Sequence, residues 1–152
     1  MPDLRHSACG HQPRRLHPAW LAALLAWGLP AQAADLAVSV EGVRDTAGQV
    51  KVMLFDREEG FRKEDKARQV LALPAAAGKV STRFTALPAG RYALIAYHDE
   101  NGDGRLNLRF GMFPKEGYGL SNNPKVSRPP RFMDAAFELT EAGGAVSIRL
   151  GY

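Results

Sequence analysis

Ten residues from His98 to Asn107 read His-Asp-Glu-Asn-Gly-Asp-Gly-Arg-Leu-Asn. They place side-chain oxygens at alternate positions, on Asp99, Asn101 and Asp103. Calcium takes six to eight hard oxygen ligands, and this spacing curls a backbone around such an ion. Gly104 stands sixth, where the loop must turn sharply and a Cβ is unwelcome. Arg105 follows seventh and offers its carbonyl, and Asn107 falls ninth. The apolar Leu106 between them would pin the loop to a core. The twelfth position departs from the pattern, because Phe110 stands where a bidentate glutamate belongs. Closure therefore requires a carboxylate from elsewhere, Glu116 or Asp134. A cage so short of charge predicts weak binding, about 10⁻⁴–10⁻³ M. The same residues have a second reading. Asn101-Gly102 and Asp103-Gly104 are strong two-residue turn signals that need no metal. Both readings stay open.

Further along, Tyr118 lies between Gly117 and Gly119, and Ser121-Asn122-Asn123 follow. The two glycines predict positive φ angles that hold out an aromatic ring, and the asparagines add amide donors and acceptors. A surface of Tyr118, Ser121, Asn122 and Asn123 suits a partner protein or a polar, sugar-like ligand. The alternative is that Phe113, Tyr118 and Phe132 simply pack this segment onto the body. Hydrolytic chemistry would have to use His98 with Asp99 and Ser121, or Glu116 paired with Asp99 or Asp134. Neither set has a supporting motif, since Ser121 is not on a nucleophile elbow and neighbours on a strand point to opposite faces. The expectation is a protein that is not an enzyme, with a small hydrolase using His98 or Glu116 as an alternative.

The 152 residues carry a formal net charge of +4. Arg5, Arg14 and Arg15 precede the apolar run Ala19–Leu29, which Pro30 breaks before Ala31-Gln32-Ala33. That is a Sec-type secretory leader, with cleavage after Ala33. The run has 11 residues, against about 20 for a spanning helix, so no transmembrane anchor is expected. The destination is the periplasm or beyond. Past Ala33 the remaining 119 residues hold 17 Lys and Arg against 15 Asp and Glu, a balance without a nucleic-acid footprint. Cys9, Trp20, Trp27 and all histidines but His98 fall in the leader. Disulfides, thiol catalysis and Cys/His zinc clusters are thereby excluded from the rest. Residues 34–152 suit one domain, expected to be a monomer.

Strands must position these groups. Leu36, Val38 and Val40 alternate with smaller or polar residues, and Val50, Val52 and Leu54 share a face opposite Lys51. Further strands are predicted over Gln69–Leu73, Lys79–Phe84, Arg91–His98, Ala135–Leu139 and Ala145–Leu150. Arg91–His98 is apolar on both faces and so belongs inside its sheet. Seven short strands without an amphipathic helix predict an all-β antiparallel sandwich. Asp56–Arg68 has ten charged residues in thirteen, five of each sign, and predicts a solvated loop or short helix pinned by Phe61. The stretch Asp99–Asp134 is too long for a simple connection, which marks it as the place for a site.

Several runs together resemble a bacterial family known only as domain of unknown function 2141. They are Leu87-Pro88-Ala89-Gly90-Arg91-Tyr92-Ala93, His98–Gly104, Pro114–Asn122, Pro130–Phe137 and the closing Ile148–Tyr152. The resemblance implies an exported sandwich of the immunoglobulin/prealbumin kind, similar to transthyretin and carboxypeptidase-regulatory domains. It also implies that Tyr92 turns inward at a sheet corner beside Leu94 and Ala96, and that Asn107 stands where many members carry Asp. It implies no activity. The functional expectation is an exported binding module in which a calcium loop orders the surface 110–132, or else a metal-free structural module of the envelope.

Overall fold

The computed structural model describes residues 33–110, 113–125 and 127–152. The leader read over 1–33 therefore lies, except for Ala33, outside the described residues. The chain forms β1 (Ala34–Val43), β2 (Gln49–Phe55), β3 (Gln69–Pro74), β4 (Gly78–Leu87) and β5 (Gly90–Asp99). Three short strands follow, β6 (Leu108–Arg109), β7 (Phe113–Pro114) and β8 (Tyr118–Leu120). A single helical turn, α1 (Phe132–Ala135), precedes β9 (Ala136–Leu139) and β10 (Gly144–Arg149). All seven strands expected from alternation are present, and the long segment adds three of its own.

Two sheets face each other. The smaller has the order β10-β1-β4, and the larger the order β3-β2-β5-β8. One edge of β5 is shared, with β9 along Gly90–Ala93 and β8 along Ile95–Tyr97. Alternation decides what lies between the sheets. Leu36, Val38 and Val40 from β1 meet Val50, Val52 and Leu54 from β2 and Tyr92, Leu94 and Ala96 from β5. The Tyr92 hydroxyl donates to the Pro88 carbonyl at 2.8 Å. That bond ties the ring to the corner where the chain enters β5, as the family resemblance implied.

The large sheet is dry on its outer side as well. Met53, Phe55, Ala93, Ile95 and Tyr97 lie buried there, under Phe61, Leu120, Phe132 and Ala135. The Phe61 ring meets Phe55 edge-on at 5.1 Å and Phe132 at 5.7 Å. Phe61 thus pins the charged segment, which forms only a 3-10 turn at Glu64–Lys66. Strands buried on both faces read as continuous apolar runs, which is what β5 does.

One pairing departs from the antiparallel expectation, because β1 and β10 run parallel from Leu36↔Gly144 to Glu41↔Arg149. A hairpin forces neighbours antiparallel, but β10 arrives from the other sheet and is free of that constraint. The crossing is made at Thr140–Gly143, where a Cβ on Gly143 would stand 2.7 Å from the Asp35 carbonyl oxygen. With φ at +85°, this corner requires glycine.

Candidate functional site

β5 ends by delivering His98 and Asp99 into the interior, both fully buried. Asp99 Oδ2 accepts the Gly104 N–H at 2.9 Å and a Gln49 side-chain N–H at 3.1 Å. Its other oxygen, Oδ1, is buried and finds no hydrogen-bond partner among the described residues. The first bond turns the carboxylate into the loop that follows. Gly102 and Gly104 adopt positive φ, +70° and +76°, and let the chain curl around it. Leu106 packs on the outer apolar cluster, so it does pin the loop.

Polar groups knit the rest of the loop together. Asn101 Oδ1 accepts the Asp103 N–H at 3.0 Å, and Asp103 Oδ1 accepts the Arg105 N–H at 2.8 Å. Asp103 Oδ2 takes the side-chain amides of Asn107 at 2.9 Å and Asn101 at 3.1 Å. The Asn107 amide and the Arg105 N–H, with help from Asn101, hold the Asp103 carboxyl below its usual range. Both asparagines thus point their NH₂ groups, not their oxygens, at the central carboxylate.

The two carboxylates named for closure behave differently. Glu116 is buried, and its Oε2 accepts the Asn107 N–H at 2.9 Å, which brings it to the ninth position of the loop. Asp134 is engaged elsewhere. It receives both guanidinium nitrogens of Arg128 at 2.7 and 2.8 Å and the Arg131 N–H at 2.7 Å. Those contacts, Arg128 first, hold its carboxyl down at about 2. Asp134 is thus taken up in capping the N-terminus of α1, and of the two carboxylates only Glu116 is bonded to the Asp99 loop.

Sequence reasoning missed a cation. Lys51, on the outer face of β2, is buried with its ammonium 2.6 Å from Glu64 Oε1 and 3.0 Å from the Gly104 carbonyl. The Tyr97 hydroxyl lies 3.1 Å from the same carbonyl and 3.3 Å from Glu64 Oε2. Burial and the nearby Glu64, Asp99 and Glu116 push the Tyr97 phenol well above its ordinary value. The only signal was Lys51 standing alone in an apolar strand. Its partner, Glu64, could not be picked from five acidic residues in Asp56–Arg68.

The surface expected at Tyr118, Ser121, Asn122 and Asn123 is largely used internally. Ser121 is fully buried, and its hydroxyl donates to the Ala135 carbonyl at 2.5 Å and accepts the Leu94 N–H at 2.9 Å. It ties β5 to α1 and is not a surface residue. Asn122 donates to the Ala136 carbonyl at 2.7 Å. Asn123 gives its NH₂ to the Ser147 carbonyl at 3.0 Å and accepts the Arg149 N–H at 2.7 Å. Its amide therefore pairs with the edge of β10 as a strand would. Tyr118 is half-buried, and burial, opposed by Arg62, pushes its phenol up to about 12. Gly117 and Gly119 are not among the glycines with positive φ, contrary to expectation. Close approach explains them, since a Cβ would stand 2.4 Å from the Tyr152 ring and 2.5 Å from the Arg149 carbonyl. The asparagines take the left-handed conformations instead, at φ +63° and +46°.

His98 has both ring nitrogens engaged. Nε2 donates to the Ala47 carbonyl at 2.7 Å, which leaves Nδ1 to accept the Tyr152 hydroxyl at 2.9 Å. Tyr152 in turn accepts the Arg44 N–H at 2.9 Å under the Arg44 guanidinium. With Ser121 bound to Ala135 and His98 to Ala47 and Tyr152, no bond of a serine triad joins them.

Among the described residues no group of three or more His, Cys, Asp or Glu is placed to hold a metal ion, and no helix is long and apolar enough to cross a membrane. An ion in the Asp99 loop would thus depend on amide and backbone oxygens as much as on carboxylates. No curated protein and no solved structure matches the chain. A family model described as an uncharacterized protein conserved in bacteria, DUF2141, matches residues 38–147, well over half of the chain. It takes in the strands from β1 into β10, the Asp99 loop and the Lys51 pair, and the chain belongs to that family.

Proposed function

We propose that the protein is an exported, non-enzymatic binding module whose Asp99–Asn107 loop takes up a calcium ion. The observation that carries the reading is the Asp99 carboxylate. One oxygen is spent on the Gly104 N–H, and the other is buried without a partner. Leaving a charged oxygen dry and unpaired is costly, and a cation beside it would remove that cost. Asp99, Asn101 and Asp103 would supply side-chain oxygens and Arg105 its carbonyl, with Asn107 and Glu116 at the rim. Uptake requires the amides of Asn101 and Asn107 to turn their oxygens inward, away from the arrangement they hold on Asp103. That rearrangement and the small number of carboxylates favour weak, calcium-selective binding. Export to the periplasm rests on the leader residues, and N-terminal sequencing of the exported protein should begin at Ala34.

Thermal unfolding of Ala34–Tyr152, first in chelator and then in calcium or magnesium, tests the ion. The core is closed among residues of this stretch. With about 1 mM calcium and a dissociation constant of about 0.1 mM, linkage gives about 1.4 kcal/mol, hence several degrees. Asp99→Asn and Asp103→Ala should each abolish the rise. No rise at about tenfold more calcium, or an equal rise with magnesium or in both variants, would reduce the loop to a metal-free turn.

A further inference from the structure

The two sheets end on the same side of the sandwich, because their edge strands β3 and β4 are joined by only Ala75–Ala77. Open backbone on an edge strand is a template for another strand, and the two edges treat that hazard differently. β4 carries Lys79 and Arg83, both exposed, and its register with β1 shifts at each end. Charge and irregularity of that kind discourage a further strand. β3 reads Gln69-Val70-Leu71-Ala72-Leu73-Pro74, without a charged residue, and keeps one register with β2 from Gln49↔Pro74 to Leu54↔Gln69.

Which backbone groups of β3 face outward follows from bonds across the large sheet. His98 gives its N–H to the Gly117 carbonyl at 2.8 Å, and the Ser121 hydroxyl takes the Leu94 N–H at 2.9 Å. Both residues of β5 thus turn their backbone groups away from β2, so Val50 and Leu54 opposite them turn theirs toward β3. The Leu54 carbonyl accordingly accepts the Arg68 N–H at 2.8 Å. Leu73, Leu71 and Gln69 stand opposite Val50, Val52 and Leu54 and point back at β2. The N–H and C=O groups of Val70 and Ala72 alternate with these and point out of the sheet. They have no hydrogen-bond partner among the described residues.

We propose that β3 pairs with β3 of a second copy of this chain, antiparallel about a two-fold axis through Leu71, and joins the two large sheets into one. In that register Val70 stands opposite Ala72 of the second copy, and Ala72 opposite its Val70. The outward groups of all four residues then meet donor to acceptor and form four hydrogen bonds. Leu71 meets its own counterpart beside the inner core, on which Leu71 and Leu73 are half-buried. Pro74 has no N–H to give, falls opposite Arg68 and ends the ladder. The edge is its own complement in register, length and charge, and that selects a second copy over a foreign peptide. One strand of six residues offers less than the roughly 800 Å² per partner of a stable interface, so the dimer is weak, about 10⁻⁴ M. The inference goes beyond the ion reading, needs no ion, and puts a dimer in place of the monomer expected from sequence.

Sedimentation velocity of Ala34–Tyr152 tests this, run in chelator so that the result does not depend on calcium. Between about 10 μM and about 1 mM the protein should pass from monomer to dimer. Salt should not weaken the dimer, since no charge pair holds it. Hydrogen exchange read by NMR should slow at the Val70 and Ala72 amides as concentration rises, and stay unchanged along β4. Ala72→Pro removes an outward N–H without touching the ladder to β2. It should weaken association about thirtyfold, since two of the four bonds are lost. Ala72→Lys, which places a charge at the same exposed position without constraining the backbone, should weaken it too. Unaltered thermal unfolding of each variant shows that the fold is kept. The proposal is overturned if either variant associates as the parent does, or if a dimer forms while exchange at Val70 and Ala72 ignores concentration. A parent protein that stays monomeric at about 1 mM overturns it as well, and leaves the edge to a strand of another protein.

Discussion

Both faces of the large sheet bury apolar side chains, and they are closed in different ways. Inside, Leu94 and Ala96 meet the second sheet, strand against strand, and alternating apolar residues fill the space. Outside, Ile95 and Tyr97 lie under irregular chain, where Phe61 and Phe132 supply the rings and Ser121 ties the cover to β5. The first closure uses only the period of a strand. The second is specific to a few residues, and all the charged groups of the candidate site hang from it.

That division is breakable. Leu94→Ala should cost about 3 kcal/mol, because facing strands cannot collapse into the gap. Phe61→Ala should cost less, about 2 kcal/mol, since its segment has no ladder holding it open and can settle. Urea unfolding of both variants measures the contrast, and equal losses would mean that the cover is as rigid as the sandwich. A smaller effect sharpens the picture at the site. Lys51→Met should lower stability by about 1 kcal/mol, leaving the Gly104 carbonyl only the Tyr97 hydroxyl as donor while the partly exposed Glu64 turns to water. The same change removes a positive charge beside the loop, so calcium should bind more tightly. Titration calorimetry showing weaker binding would place the ion away from Gly104. The smallest effect belongs to Asp134. Its folded value of about 2 lies below the ordinary 3.8, so its contribution is present above about pH 4 and lost as pH falls through 2. Carboxyl NMR should show that midpoint, and Arg128→Gln should move it upward. The inner core should be indifferent to both.

Much of this was legible in the chain. Val50, Val52 and Leu54 announced an inner face, and the doubly apolar Arg91–His98 announced a central strand. Leu106 was readable as the pin of its loop, and Tyr92 as a corner. Parallel pairing of β10 with β1 was not legible, because alternation records which face is buried and is silent on which neighbour lies alongside. Lys51 reaching Glu64, Asp134 reaching Arg128 and Ser121 turning inward escaped for a related reason. A polar side chain follows no period, and its partner is chosen by what lies within about 3 Å after folding.

The order of residues by itself thus determined the strands, the central place of β5, the oxygen-bearing loop and the family, since each depends on contacts a few residues apart or on periodic burial. Only the tertiary structure decided which oxygen of Asp99 is left unpaired, that Glu116 and not Asp134 comes to the loop, and that β3 ends its sheet with the Val70 and Ala72 backbone outward. Those are outcomes of packing between segments distant in sequence, where distance and desolvation, and not residue type, select the partner.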